Sequence, residues 1–250
     1  MGLPQMKRLI IALTLCALTA TAGPMWSLDW STADSGYTPY KAGDLLVYWN
    51  FNEGDGSSQD NLGTLGATGD GVQTNVALQC SVANGYGTFG ADSMLTSGSG
   101  IASGLTNASF GLWVRAEAVL GVGTAKKVFF CEGGATDLYL QWYRTWGSVQ
   151  ELSGNFFGST IADPYAPRNS NEWYHICCTH DGSVSSGVQR TYINGTNTDL
   201  NVGIGIITWR CTAAWDIGYS AFDGDIDEMR IYEVTLDQAD IDAIIAEERP

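Results

Sequence analysis

Strand-length runs in which apolar and polar residues alternate recur along most of this chain, and they constrain its fold more than any other feature. In residues 45–51, four apolar side chains fall on one side of a strand because successive side chains alternate. Residues 109–116 repeat the pattern, and Asn194-Gly195 predicts a tight hairpin because both residues tolerate positive φ. Helical periodicity is confined to residues 237–248. The pattern predicts one all-β domain of antiparallel strands with a short C-terminal helix.

The C-terminal helix has its own start signal. Asp237 can cap the first turn, Asp240 adds negative charge where the helix dipole favours it, and Leu236 can pack on Ile241. A narrow apolar stripe then predicts that the helix lies against the strands.

Residues 221–236 form a carboxylate-rich strand that leads into this helix. Strict alternation puts Asp223, Asp225, Asp227 and Met229 on one face, which therefore begins acidic and ends apolar. Three carboxylates on one face repel each other unless a cation, a positive side chain or water intervenes. We therefore expect the acidic end to lie at a sheet edge or to hold a metal.

The first 43 residues divide into two segments that precede the domain. Residues 1–22 carry a basic pair, Lys7 and Arg8, then a short apolar run and a small-residue cleavage pattern, which predicts a signal peptide. Residues 23–43 are rich in Trp and Tyr and form an arm or linker that packs on its own domain or on a neighbour. Residues 44–250 form the predicted domain.

The net charge of the chain and its expected location limit the classes of molecule that it can bind. The chain has 27 acidic and 12 basic residues, a formal net charge of −15, which argues against nucleic acid and anionic membrane as partners. After the signal peptide no apolar segment has membrane-spanning length, so we expect no membrane insertion. The expected location is extracellular or at the cell surface.

The cysteines leave the disulfide pattern open. An exported chain meets oxidising conditions, yet five cysteines follow the predicted cleavage site, so at least one is unpaired or bridges two chains. Two disulfides and a set of buried thiols are equally compatible with the sequence. The five are Cys80, Cys131, Cys177, Cys178 and Cys211.

Five motifs, in this order, are similar to those of a known fold. They read WNFNEGDGSSQDNLG, SFGLWVRA, EWYHICCTHDGS, RTYINGT and FDGDIDEMRIYEVTLDQADIDAI. They resemble the laminin-G-like jelly roll of the concanavalin A-like lectin and glucanase superfamily. The resemblance implies a two-sheet antiparallel β-sandwich. It does not fix the function, because this fold hosts lectins, carbohydrate-binding modules, adhesion domains and hydrolases.

The resemblance also implies a structural Ca²⁺ near the chain ends. Carried onto this sequence, its ligands are Asp60 and Asp227, with Glu53 as a third candidate. Backbone carbonyls of residues 63–66 would complete the shell, because Ca²⁺ prefers oxygen ligands.

Catalysis is tested by the laminarinase-type pattern of three carboxylates at i, i+2 and i+4. The corresponding residues here are Asp225, Asp227 and Met229, and a methionine cannot exchange the proton. Alternation puts Glu228 on the other face. His175 is expected to be a structural, hydrogen-bonded residue. The sequence therefore predicts no catalytic residues.

Aromatic residues carry the binding prediction, because sugar rings stack on Trp and Tyr. Trp142, Trp146 and Trp209 each lie near a turn or a charged neighbour and are the predicted ligand-binding residues. We expect a secreted, non-catalytic carbohydrate-binding or adhesion module that recognises a glycan or a glycoprotein surface.

Two other functions remain open. The aromatic arm of residues 23–43 and an unpaired cysteine would suit a surface protein that assembles into homo-oligomers. A glycoside hydrolase is the weaker alternative, because the acid/base position is occupied by Met229.

Overall fold

A computed structural model gives the architecture for most of the chain beyond residue 37. The predicted signal peptide and most of the aromatic arm lie outside the described residues. Within the described part, no helix is both long and apolar enough to cross a membrane. The described residues are 38–52, 58–73, 79–81, 85–90, 94–98, 104–131, 138–144, 150–156, 159–162, 168–183, 187–202, 214–218 and 222–247.

Among the residues that the structure describes, sheet A has eight antiparallel strands. Their order is β14-β13-β12-β7-β16-β5-β4, and β1 also pairs with β16. The last long strand of the chain, β16, therefore lies inside the sheet, between β7 and β5. The strands are β1 (Leu45–Trp49), β4 (Gln79–Ser81), β5 (Tyr86–Phe89), β7 (Asn107–Ala116), β12 (Tyr174–Asp181), β13 (Val188–Ile193), β14 (Thr196–Val202) and β16 (Gly224–Tyr232).

Sheet B also has eight strands, in the order β11-β10-β9-β8-β15-β6-β3-β2. The two antiparallel sheets and one C-terminal helix confirm the predicted sandwich. The strands of sheet B are β2 (Ser58–Gln59), β3 (Gly71–Gln73), β6 (Leu95–Ser97), β8 (Ala125–Cys131), β9 (Leu138–Arg144), β10 (Gln150–Phe156), β11 (Ser159–Ala162) and β15 (Trp215–Ile217).

The main core fills the space between the sheets. Phe110 of sheet A contacts Phe129 of sheet B, with ring centroids 4.5 Å apart, and Trp215 packs edge-on against Phe129. Burying each such side chain stabilises the fold by about 1.5–3 kcal/mol. The alternation predicted in residues 109–116 is confirmed, because Phe110, Leu112 and Val114 belong to the main core whereas Trp113 does not.

A second, smaller core lies on the outer face of sheet A, beneath helix α1 (Gln238–Glu247). Ile241 and Ile244 of the helix are buried there. Asp237 Oδ1 accepts from the Asp240 amide and Asp240 Oδ2 accepts from the Asp237 amide, each at 2.9 Å. This reciprocal capping confirms the predicted helix start.

The end of the aromatic arm contacts this helix within the same chain. The Tyr40 hydroxyl donates to Asp240 at 2.8 Å, and Lys41 Nζ lies 3.1 Å from the same carboxylate. The hydroxyl of Tyr232, on β16, donates to the Tyr40 carbonyl at 3.1 Å. Residues 38–43 therefore join the helix to sheet A.

The described cysteines differ in their bonding state. Cys131 is in a disulfide, whereas Cys177 and Cys178 are buried thiols outside any disulfide. Burial raises the pKa of the Cys177 thiol well above its usual value, so that thiol stays protonated and unreactive. The side chains of Cys80 and Cys211 lie outside the described residues.

Candidate functional site

A β-bulge in β16 decides which acidic side chains face outward. Ile226, Met229 and Ile231 all enter the main core, a spacing that strict alternation cannot give. The pairing with β7 shifts between Asp227 and Arg230, and Glu228 has a φ of 52°. The prediction that Met229 shares a face with the aspartates is therefore wrong, because the bulge reverses the alternation.

Asp225 of β16 has a protein cation as its partner. Its Oδ2 accepts from Arg115 Nε at 2.7 Å and lies 2.6 Å from Arg115 Nη2, and Thr88 Oγ1 donates to Oδ1 at 2.8 Å. Asp225 is 1% exposed. The acidic end of β16 thus lies inside the sheet rather than at the predicted edge, and Arg115 relieves the charge of Asp225.

Two of the three predicted cation ligands, Asp60 and Asp227, lie among the described residues. Asp60 is exposed, whereas Asp227 is buried and its Oδ1 accepts the Glu228 amide at 2.9 Å. Glu53 lies outside the described residues. Among the residues that the structure describes, no three His, Cys, Asp or Glu side chains are grouped so as to hold a metal.

Asn61 binds the loop whose carbonyls were predicted to hold the cation. Its Oδ1 accepts the amides of Tyr48 and Gly63 at 2.8 and 2.9 Å. Its Nδ2 donates to the carbonyls of Leu46 and Gly66 at 3.1 and 3.2 Å. All four hydrogen-bonding positions of this buried amide are used. The Gly66 carbonyl therefore accepts one hydrogen bond from a neutral donor.

Among the described side chains on the outer face of sheet A, Glu228 and His175 do not form a poised acid–base pair. The bulge turns Glu228 toward a small cavity that His175 and Arg230 also line. Glu228 therefore does not lie on the face opposite the aspartates, as strict alternation predicted. Arg230 pairs with Glu228 at 3.4 Å and with Glu247 at 3.0 Å. Burial, with a smaller contribution from Arg230, lowers the pKa of His175 to about 3, so it is neutral near pH 7.

Of the three predicted ligand-binding tryptophans, only Trp142 is described. It is 0% exposed, and its ring packs on Tyr174 with centroids 5.8 Å apart. A buried ring offers no face to a sugar, so Trp142 is a core residue and its predicted ligand role is corrected. Trp146 and Trp209 lie outside the described residues.

In sheet B, the side chains that alternate with the residues of the main core form a polar and aromatic surface on the outer face of the sheet. We call it the B-face site, and all of its members are half-buried. Phe130 pairs with Tyr139 on one side and with Asp216 on the other, and Asp216 pairs with Thr96. One row thus crosses four strands. The B-face site comprises Thr96, Lys127, Phe130, Tyr139, Gln141 and Asp216.

The geometry of the B-face site places polar atoms beside aromatic rings. Lys127 Nζ lies 3.7 Å from the Phe130 ring centroid and 5.3 Å from that of Tyr139. Thr96 Oγ1 donates to Asp216 Oδ1 at 2.9 Å. Burial raises the pKa of the Asp216 carboxyl, against the opposing effect of the Thr96 hydrogen bond. A half-buried carboxylate beside aromatic rings is a common feature of binding sites.

The two antiparallel sheets and the C-terminal helix define a concanavalin A-like β-sandwich. The Laminin_G_3 family model, described as the Concanavalin A-like lectin/glucanases superfamily, matches residues 87–242. The chain belongs to this superfamily, as its motifs predicted. A search of curated proteins found no match.

Solved structures share the fold at low sequence identity. Domain 4 of AbnA, a GH43 extracellular arabinanase from Geobacillus stearothermophilus solved with arabinotriose, is 19% identical, with a TM-score of 0.60 over 80% of this chain and 98% of that one. The binding domain of botulinum neurotoxin serotype G is 13% identical, with a TM-score of 0.62 over 81% and 51%. That of Paraclostridial Mosquitocidal Protein 1 is 13% identical, with a TM-score of 0.63 over 82% and 52%. The chain thus matches about half of each toxin domain.

Proposed function

We propose that this protein is a secreted, non-catalytic carbohydrate-binding module, used for recognition or adhesion, and that the B-face site holds the glycan. The observation that carries the proposal is the row of half-buried aromatic and hydrogen-bonding side chains across four strands of sheet B. Its members are held by the cross-strand register, so the surface is built before a ligand arrives.

Saccharide chemistry suits this surface. The C–H face of a sugar ring packs on Phe130 or Tyr139, and its hydroxyls bond to Asp216, Gln141 and Thr96. The sheet spaces equivalent side chains on neighbouring strands about 4.7–4.9 Å apart, close to the length of one sugar unit. An extended oligosaccharide could therefore contact several strands at once.

The comparisons support a binding role rather than catalysis. The AbnA domain was solved with arabinotriose, and the toxin structures are binding domains. Catalysis would need an exposed carboxylate pair, whereas Asp225 is buried against Arg115 and Glu228 pairs with Arg230. The superfamily includes glucanases, so turnover of a β-glucan by the purified protein would contradict the proposal.

The test is glycan-array binding by the purified protein in Ca²⁺ and in chelator. We expect specific binding that Tyr139→Ala weakens by about tenfold, since losing an aromatic contact costs about 1.4 kcal/mol. Tyr40→Ala is the matched control, because it removes a tyrosine ring near α1, on the other sheet, and should leave binding unchanged.

The outcome also decides between functions. Binding lost in chelator would support the predicted calcium, which stays a prediction. Equal binding by wild type and Tyr139→Ala would place the glycan elsewhere. Absence of binding in both buffers would favour the self-assembling surface protein.

A further inference from the structure

A second group of aromatic and polar side chains lies on the outer face of sheet A, on the opposite side of the sandwich from the B-face site. Arg115 of β7 pairs with Asp225 of β16, which pairs with Thr88 of β5. Trp173 immediately precedes β12, whose first residue pairs with Val114 next to Arg115. We call this group, completed by Tyr86, the A-face site.

Two aromatic rings and one guanidinium meet at the A-face site. Arg115 Cζ lies 5.1 Å from the Tyr86 ring centroid and 5.0 Å from that of Trp173. The two rings contact each other edge-to-face, with centroids 5.4 Å apart. Both residues are half-buried. They therefore keep accessible surface after all of these contacts are made.

Asp225 holds the guanidinium in one orientation. Its Oδ2 accepts a hydrogen bond from Arg115 Nε and forms an ion pair with Nη2. Nη2 also donates to the Tyr86 hydroxyl at 3.1 Å. Within the described residues, Nη1 has no hydrogen-bond partner, and the Arg115 side chain is 25% exposed. Two N–H donors on a fixed planar group thus lie beside two ring surfaces.

The charges at the A-face site specify a neutral ligand. The Arg115 cation is already balanced by Asp225, so the site has no excess positive charge for a uronate or sulfate. The formal net charge of −15 on the chain further repels anions. A neutral sugar would stack its C–H face on Trp173 and accept hydrogen bonds from Nη1 through its hydroxyl oxygens.

We infer that the A-face site is a second saccharide site, for neutral sugars, and that the protein is bivalent. Because the two sites lie on opposite outer faces of one sandwich, a single polysaccharide chain cannot easily fill both, and two chains are bridged instead. This inference rests on the proposed function, since bridging also needs the B-face site. It gives the protein a cross-linking role that one site would not provide.

The test combines binding with cross-linking, using the purified wild-type protein, Tyr139→Ala, Trp173→Ala and the double variant. The probes are soluble arabinan, xylan, β-glucan and mannan, with polygalacturonate as the anionic control. Turbidity reports cross-linking, and calorimetry with oligosaccharides of the polysaccharide that binds best reports affinity and the number of sites. Thermal unfolding checks that each variant is folded.

We expect wild type to bind two oligosaccharides and to make that neutral polysaccharide turbid. Each single variant should bind one oligosaccharide and lose the turbidity, and the double variant should bind at least about tenfold more weakly than either. Arg115→Lys, which keeps the charge but removes the planar donors, should behave like Trp173→Ala. If Trp173→Ala unfolds, Arg115→Lys takes its place in the experiment.

Other outcomes separate the two proposals. One site in wild type, lost in Tyr139→Ala and unchanged in Trp173→Ala and Arg115→Lys, would overturn the A-face site while leaving the proposed function intact. The absence of binding to every polysaccharide by folded wild type would contradict both proposals. Binding to polygalacturonate through the A-face site would overturn the preference for neutral sugars.

Discussion

Single side chains at two positions carry functions that their residue type alone does not reveal. Asn61 joins β1 to the loop of residues 61–70 with four hydrogen bonds, the maximum for an amide. Its Nδ2 brings together two carbonyl oxygens, those of Leu46 and Gly66, by donating to both. His175 is the second case, because it is a titratable group kept neutral by burial.

Asn61→Asp should lower the free energy of unfolding by about 2–4 kcal/mol, since it turns a buried donor into an oxygen that faces two carbonyls. Urea unfolding in Ca²⁺ and in chelator measures this. Asn197→Asp, which adds the same charge at an exposed position of β14, should cost little. Wild-type stability that falls in chelator would mean that a cation, and not Asn61 alone, holds the loop.

His175 should make the fold sensitive to mild acid. Its pKa is about 3 in the folded protein against a usual 6.5, so the unfolded chain binds the proton first as the pH falls. Its contribution to stability is intact above pH 6.5 and is lost at about 1.4 kcal/mol per pH unit between pH 6.5 and pH 3. Urea unfolding at pH 7, 5.5 and 4.5 should give a shallower decline for His175→Gln. Equal slopes for the two proteins would contradict the prediction.

At the scale of elements, β16 organises the outer face of sheet A. One extra residue, Glu228, separates an outward segment with Asp225 from an outward segment with Arg230. Without the bulge, the side chains after Asp227 would exchange faces, and Arg230 would enter the main core. The bulge is therefore what lets one strand carry both the A-face site and the polar contacts of α1.

Deletion of Glu228 should be tolerated better than deletion of Met229. Removing Glu228 restores simple alternation with Ile226, Met229 and Ile231 still inward, and it also removes a positive φ that costs about 1–3 kcal/mol. Removing Met229 instead drives Glu228 into the core, an unpaired charge worth several kcal/mol. Thermal unfolding and near-ultraviolet circular dichroism should show a cooperative fold only for the first deletion. If the two deletions destabilised the fold equally, Glu228 would not be the inserted residue of the bulge.

At the scale of the whole molecule, the alternation in the sequence predicted antiparallel strands, and the family resemblance implied that they form a sandwich. Asn194-Gly195 predicted the hairpin, and Asp237 predicted the helix cap. The alternation could not predict which face of β9 is buried, since Trp142 and Tyr139 fit a core equally well by residue type. The bulge was also hidden, because glutamate rarely adopts positive φ. The A-face site joins Tyr86 and Trp173, which are far apart in sequence and meet only through the strand order.

The whole molecule should be monomeric if the aromatic arm serves its own domain. Tyr40 and Lys41 both bond to Asp240 of α1 in the same chain, so the end of the arm already has an intramolecular partner. We expect light scattering to give a size that does not change with protein concentration. Two deletions separate the roles of the arm: loss of residues 23–43 removes these contacts, and loss of residues 23–37 keeps them.

The longer deletion should lower the unfolding temperature more than the shorter one, because it also exposes the small core beneath α1. Neither deletion should change the molecular mass beyond the residues removed. If the particle size of the wild-type protein increases with concentration, and deleting residues 23–37 abolishes that increase, the arm binds a second copy of the chain. Glycan cross-linking would then arise from the oligomer as well as from two sites on one sandwich, and calorimetry on the shortened monomer would separate the two sources.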